Sequence, residues 1–396
     1  MVLRILPLLL LTLFVSDLYI YYRFFWRHKR PTWTYFTFIP NILLSVAALV
    51  LCFSESHTVQ NMQQMALFFS IYLLFAVPKT LYLTTDLIGR GVSRLFPKSE
   101  KVCSATSIAL SFILFLMILS GLTFGTSHIV TEEATFRSND LPASFNGYRI
   151  VQISDLHLTS FSRRTGTVED IVEKIMNLRP DMIVFTGDLV SIDVNEMDGF
   201  DDILSRLKAP DGVYSVMGNH DYLTYAHYLS PREQTTHRRQ LIERQKAMGW
   251  DMLMNEHRII RRGPDSIAIV GVENDGKPPF PARGDLKKAL KGIPGYGAPD
   301  GSGPRMFKIL LSHDPTHWRR SVLPETDIQL TLSGHTHGMQ FMVFGWSLSK
   351  LFYPEWKHMY GENGRGLYVS LGLGEALIPL RFGAWPEINV ITLQNK

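Results

Sequence analysis

The chain has 396 residues, of which 46% are hydrophobic, with a formal net charge of +4 and 2 cysteines. That length accommodates two or three domains. The small positive charge, with no basic block in the globular part, gives no support to a nucleic-acid partner. Both cysteines, Cys52 and Cys103, fall in an apolar N-terminal region, so the rest of the chain has neither a disulfide nor a thiolate metal site.

The mean hydropathy of +0.04 is concentrated at the start of the chain. Four stretches approach the length needed to cross a bilayer: Val2–Tyr22, Trp33–Phe53, Met65–Leu87 and Ala105–Val130. Pro78 and Lys79 predict a kink or an early end in the third. The first is followed by "RFFWRHKR" and by no small-residue cleavage site, which favours an anchor over a cleaved signal. Arg23, Arg27, Lys29 and Arg30 follow the first stretch, and Arg90, Arg94, Lys98 and Lys101 follow the third. The loop "SESHTVQN" between the second and third has no Lys or Arg. Positive loops face the cytoplasm, so four crossings predict both termini outside and an extracytoplasmic globular part. The expected organisation is a transmembrane region at 1–130, a short polar connector at 131–147 and a globular domain at 148–396.

In the globular part, strand-like runs alternate with helical patterns. "YRIVQIS", "DMIVFTG" and "GVYSVMG" read as buried strands, and "VEDIVEKIMNL" as an amphipathic helix. "FDDILSRL" and a basic segment from Glu233 to Met248 read as further helices. The strands "SIAIVGV", "FKILLS", "DIQLTLS", "GLYVSLG" and "INVITL" follow in tighter succession, which predicts an α/β domain with a second sheet. A loop rich in Gly and Pro spans Gly292 to Arg305.

Several of these strands end in groups that bind metals. They are Asp155 and His157, Asp188, Asn219 with His220 and Asp221, His313 with Asp314, and the pair His335 and His337 in "LTLSGHTHGMQF". Ligands collect outside the carboxyl ends of strands in α/β sheets, so these groups are expected to meet. Carboxylate, imidazole and amide donors without thiolate suit Mn, Fe or Zn. Their number exceeds the need of one tetrahedral ion, which predicts two divalent ions sharing a carboxylate. Such a pair clamps a phosphoryl group and activates water. For one such residue, capping of a following helix would be explanation enough; for the whole set it is not.

The motifs "SDLHL", "FTGDLV", "MGNHD", "LLSHDP" and "SGHTHG" occur in the order found in calcineurin-like metallophosphoesterases, which the chain resembles over roughly Gly147 to Leu393. The run "LGLGEALIPLRFGAWPEINVITL" is similar to the bacterial membrane-associated branch. The resemblance implies two mixed β-sheets packed face to face with helices outside, a four-layer α/β fold preceded by an all-helical transmembrane region. It implies one metal site of Asp155, His157, Asp188 and His337, and a second of Asp188, Asn219, His313 and His335. His220 would be the general acid, oriented by Asp221, with Asp314 orienting His313. His227 and His317 are expected on the surface. Met339 stands where relatives often have glycine. The function implied is a membrane-anchored phosphoesterase that uses a metal-activated hydroxide on a phosphodiester or pyrophosphate, a lipid-linked one included. The membrane would be a bacterial inner or plasma membrane. A phosphomonoesterase, or a scaffold that only binds, are the alternatives. The aromatic run "FMVFGWSLSKLFYPEWKH" after the His pair has two readings: packing into the core or onto a neighbouring loop, or an apolar lip that touches the bilayer and receives a lipid-borne substrate.

Overall fold

The computed structural model describes residues 2–26, 33–53, 59–162, 164–226, 229–295 and 306–396. Arg27, Lys29, Arg30, His227 and most of the Gly/Pro-rich loop lie outside the described residues. The chain forms two compact units. One is Met1–Phe124 with Leu377–Leu380, and the other is Gly125–Ala376 with Arg381–Lys396.

The first unit consists of the helices α1 (Val2–Ile20), α2 (Trp33–Phe53), α3 (Val59–Leu95) and α4 (Glu100–Thr123). Among the described residues, Leu6–Phe25, Met62–Leu95 and Pro97–Ser127 are long and apolar enough to cross a membrane, and α2 shows a shorter apolar run, Phe38–Leu51. Of the kink or early end expected at Pro78, the early end does not occur, because α3 runs through it for 37 residues. A proline forfeits one backbone bond, which an apolar helix with packed neighbours tolerates. Leu13, Leu44, Ala48, Phe68, Phe69 and Tyr72 form the core of this unit. Large apolar side chains such as Leu43 and Ile88 cover its exterior, as a lipid-facing surface requires. The ionisable pair Asp17 and Lys79, 2.8 Å apart, is turned inward, where Asn41 also reaches Asp17.

The second unit holds strands β1 (Val130–Ser138), β2 (Arg149–Ile153), β3 (Met182–Phe185), β4 (Val213–Ser215), β5 (Asp251–Met252), β6 (Glu256–Arg262), β7 (Asp265–Gly271), β8 (Phe307–Leu311), β9 (Leu330–Ser333), β10 (His358–Glu362), β11 (Arg365–Val369) and β12 (Glu387–Asn395). Its helices include α5 (Thr165–Asn177), α6 (Asp201–Leu204), α7 (Pro231–Ala247) and α8 (Leu286–Leu290). The strands make two mixed six-stranded sheets, in the orders β1-β12-β2-β3-β4-β5 and β10-β11-β9-β8-β7-β6.

Strand alternation assigns the faces. Ile267, Ile269, Ile309 and Leu311 meet Ile150, Met182 and Val184 of the other sheet in the central core. The intervening Ala268, Val270 and Leu310 pack on α8 and Trp318 outside. This is the expected sandwich of two mixed sheets with flanking helices. The stretch 131–147, read from sequence as a connector, carries β1 instead, paired in parallel along its whole length with β12. Its alternating exposed residues, Thr131, Glu133 and Thr135, belong to an edge strand with one face in water.

Candidate metal centre

The parallel strands β2, β3, β4, β8 and β9 all end at the same edge of the sandwich, and their following turns carry the polar residues. Asp155, His157, Asp188, His335 and His337 have φ of 52°, 42°, 60°, 73° and 48°, the left-handed region that non-glycine residues avoid. Strain of this kind persists only where the surroundings over-determine it, and it gathers at functional sites. The turns lock one another: Asp155 N–H donates to the Gly187 carbonyl at 2.9 Å and His157 N–H to the Asp188 carbonyl at 3.1 Å. His220 N–H donates to Asp188 Oδ1 at 2.8 Å. A Cβ at Gly218 would lie 2.2 Å from Asp188 Oδ1, and one at Gly334 2.3 Å from Asp155 Oδ2, so only glycine permits the approach.

The structure brings the expected ligands into overlapping groups: Asp155, His157 and His337; His157, Asp188 and His220; Asp188, His313 and His335. Within each group the ligand atoms lie within 4.8 Å of one another. Asp188 and His157 are shared. His313 Nε2 is 3.1 Å from Asp188 Oδ2, and His337 Nε2 is 3.3 Å from Asp155 Oδ1. Asp155, His157 and His313 are fully buried, and Asp188 and Asn219 nearly so.

One orphaned atom and one ion-paired ring nitrogen test whether metal fits. Asn219 Oδ1 is buried without a hydrogen-bond partner, and His313 Nε2 faces only the Asp188 carboxylate, 3.1 Å away. Buried donors and acceptors are almost always satisfied, and both atoms belong to the expected second site. The donor set therefore fits divalent ions.

Burial opposes charge on Asp155, but the imidazoles of His337 and His313 outweigh it and hold the carboxyl well below its usual range. Asp188 is likewise held low against burial, by His313 and His220. Burial pushes His157 down and His335 down to about 4, which leaves both rings neutral donors. Burial also disfavours a charged His313, yet Asp188 lifts it to about 10. A cation entering there displaces a proton.

Each histidine is fixed through its other nitrogen. His157 Nδ1 meets Ser191 Oγ at 3.2 Å, His313 Nδ1 the Thr186 carbonyl at 2.7 Å, and His337 Nδ1 the Arg381 guanidinium at 3.1 Å. His335 is reversed: its Nε2 meets Tyr353 Oη at 2.9 Å, which leaves Nδ1 for the site.

Three expected roles need correction. Asp221 does not orient His220. Its carboxylate accepts the backbone N–H groups of Asp188, Leu189, Val190 and Gly218, while His220 Nδ1 donates to the Ser191 carbonyl at 2.7 Å. Burial and the charge of Asp188 push the Asp221 carboxyl up to about 7. Asp314 accepts from Thr316 N–H rather than holding His313, whose Nδ1 is taken by the Thr186 carbonyl. His317 is buried, not on the surface, bonded to Ser312 Oγ at 2.8 Å and 3.4 Å from Asp275.

Met339 has φ of 47°, a conformation that explains why glycine suits that position. The aromatic run divides. Trp356 is buried, whereas Phe344, Trp346, Leu348, Leu351 and Phe352 are exposed, so core packing fails for these five. Sequence reading missed Tyr353, Ser191 and Arg381 as partners of the histidines; only the "PLR" of the C-terminal run pointed to the last.

A mixed-sheet sandwich whose strand ends gather carboxylates, imidazoles and an amide around one shared aspartate defines a metal-dependent hydrolase. The chain belongs to the calcineurin-like phosphoesterases. Residues 148–339 match the family "Calcineurin-like phosphoesterase", and residues 3–126 match "Probable Calcineurin-like phosphoesterase, transmembrane domain". An uncharacterized metallophosphoesterase of Bacillus subtilis, YkuE, is 31% identical over 278 residues, 67% of this chain and 86% of that one. A transmembrane protein with metallophosphoesterase domain from Danio rerio is 29% identical over 318 residues, 78% of this chain and 68% of its own. The UDP-2,3-diacylglucosamine pyrophosphatase LpxG of Chlamydia trachomatis is 29% identical over 304 residues, 63% of this chain and 85% of its own.

Proposed function

We propose that this membrane metallophosphoesterase hydrolyses the phosphodiester or pyrophosphate bond of a lipid-borne substrate. Asp155, His157, Asp188 and His337 would hold one divalent ion, and Asp188, Asn219, His313 and His335 would hold the second. When bound, two such ions neutralise the phosphoryl oxygens and supply an ionised water as nucleophile near neutral pH. His220 serves as general acid: with Nδ1 committed to the Ser191 carbonyl, Nε2 is the nitrogen that hands a proton to the leaving oxygen. Asp221 keeps the Asp188 and Gly218 turns in register. The catalytic unit faces away from the cytoplasm, a reading supported by the charge of the loops.

The observation that carries the lipid-borne substrate is the exposed ridge of Phe344, Trp346, Leu348, Leu351 and Phe352. It is rooted in the site, since Tyr353 bonds His335 and Ser347 Oγ donates to the Gly338 carbonyl at 2.5 Å. Exposed apolar side chains on a segment bonded to a polar site suit a ligand with acyl chains and a charged head. The name of the Chlamydia relative, which acts on a diacylated pyrophosphate, agrees in substrate class.

The test is turnover by the purified full chain loaded with Mn²⁺ or Zn²⁺. Three substrates serve: an acylated pyrophosphate in vesicles, its soluble analogue without acyl chains, and an aryl phosphomonoester. Preference for the acylated pyrophosphate is expected. Faster turnover of the monoester would overturn the bond assignment, and equal rates with and without acyl chains would overturn the lipid reading.

A further inference from the structure

A further group of metal-binding side chains joins the edge strands of the two sheets, β1 and β10, through β12. Glu132 of β1, His358 of β10 and Glu387 of β12 each bring one ligand atom within 4.8 Å of the others. None of the three belongs to the metal centre. Glu387 is buried, and its Oε1 accepts from Leu371 N–H at 2.9 Å and from Asn389 Nδ2 at 2.8 Å. Its Oε2 faces His358 Nε2 at 3.2 Å.

The charge in this group is unbalanced. Burial opposes a charge on His358, but Glu387 and Glu132 outweigh it and lift the ring above its ordinary range. Even protonated, one imidazole brings a single positive charge to two carboxylates. The adjacent Lys357 sets its ammonium over the Trp356 ring instead, 5.0 Å from the centroid. A buried carboxylate is costly unless its charge is matched.

Asn389 gives an independent sign of a cation. It is fully buried, lies two residues beyond Glu387 on the same face of β12, and pairs in register with Glu132 of β1. Its Nδ2 also donates to Tyr368 Oη at 3.1 Å, and the Tyr368 ring stacks on His358 with centroids 6.0 Å apart. A carboxylate only accepts, so the amide must keep Nδ2 toward Glu387. The oxygen of that amide, Oδ1, is left buried with no donor. Buried acceptors are almost always satisfied, and a cation would satisfy this one together with both carboxylates.

We infer that Glu132, His358, Glu387 and the Asn389 amide oxygen form a structural Zn²⁺ site, separate from the metal centre, that ties the edges of the two sheets together. Four donors match the tetrahedral coordination of structural zinc, and an imidazole among them disfavours Ca²⁺ and Mg²⁺. Binding would displace the proton of His358 Nε2.

The experiment counts the Zn²⁺ that chelator-stripped full chain retains after reloading and gel filtration. The double variant Glu132→Gln, His358→Gln is expected to retain one ion fewer than the unaltered chain, and equal counts overturn the inference. Ring ¹⁵N NMR of the unaltered chain does not depend on any variant folding. Added Zn²⁺ is expected to abolish the His358 Nε2–H signal and shift that nitrogen as a metal ligand. An Nε2–H signal that persists at saturating Zn²⁺ overturns the site, and the same change with Ca²⁺ overturns its assignment to zinc. Asp188→Asn, which reads the metal centre, should leave the His358 response intact; loss of that response would overturn the separation of the two sites.

Discussion

Replacing Phe344 and Phe352 with serine tests the apolar ridge most directly. Phe344 is as exposed as in an extended chain, at 105%, and Phe352 is 62% exposed. Full burial of a phenylalanine side chain is worth about 1.5–3 kcal/mol, so the exposed parts of these two rings offer about 2.5–5 kcal/mol to an apolar ligand. A substrate that covers only a quarter of that surface gains about 0.6–1.2 kcal/mol, roughly three- to eightfold in kcat/KM. Stability should move little, since surface substitutions stay within about 0.5 kcal/mol. Trp356→Ala is the contrasting case. Trp356 is buried, so it should cost about 3–5 kcal/mol and lower the melting temperature. The assay is the ratio of turnover on acylated pyrophosphate in vesicles to turnover on the soluble analogue, measured beside melting. A fall in that ratio at constant melting temperature is expected for the double serine variant. An unchanged ratio, or equal loss on both substrates, would refute the reasoning.

Asp188→Asn removes the charge shared by both ligand groups, so elemental analysis should find both metals depleted and turnover gone. Asn219→Ala should deplete only one, and near-normal metal content in Asp188→Asn would break the shared-ligand assignment. His220→Asn should keep its metals and lose about 10²–10⁴ in rate on substrates whose leaving group needs a proton. The loss should shrink with a nitrophenolate leaving group, and an equal loss on both would exclude the acid role. A reporter active only in the cytoplasm, fused after Lys396, should stay silent if the loop charges set the topology; a bright signal would reverse the orientation.

How much of this was legible in the sequence differs from residue to residue. The candidate ligands Asp155, His157, Asp188, Asn219, His313, His335 and His337 could be read because each ends an apolar strand, and parallel strands deliver their carboxyl ends to one edge. Strand ends supplied the candidates there, and the resemblance to the family separated the seven from His220, Asp221 and Asp314. The strand β1 was hidden because an edge strand with one wet face spells "TEEATFRS", a polar run that only its pairing with β12, some 250 residues away, turns into structure. The supports of the histidines were hidden for the same reason. Ser191, Tyr353 and Arg381 stand far in sequence from the rings they hold, at separations of 34, 18 and 44 residues. Neighbouring residues misled: Asp221 and Asp314 adjoin His220 and His313 in the chain, yet consecutive side chains leave a tight turn in different directions. Carbonyls of Ser191 and Thr186, brought in from another strand end, take the ring nitrogens instead. The exposure of Phe344 and Phe352 against the burial of Trp356 was also beyond composition, since an aromatic run reads the same whether it faces the core or water. The types and order of the ligands are therefore a property of the sequence, while the orientation of each ring is a property of the fold, because hydrogen-bond partners are chosen by distance in space.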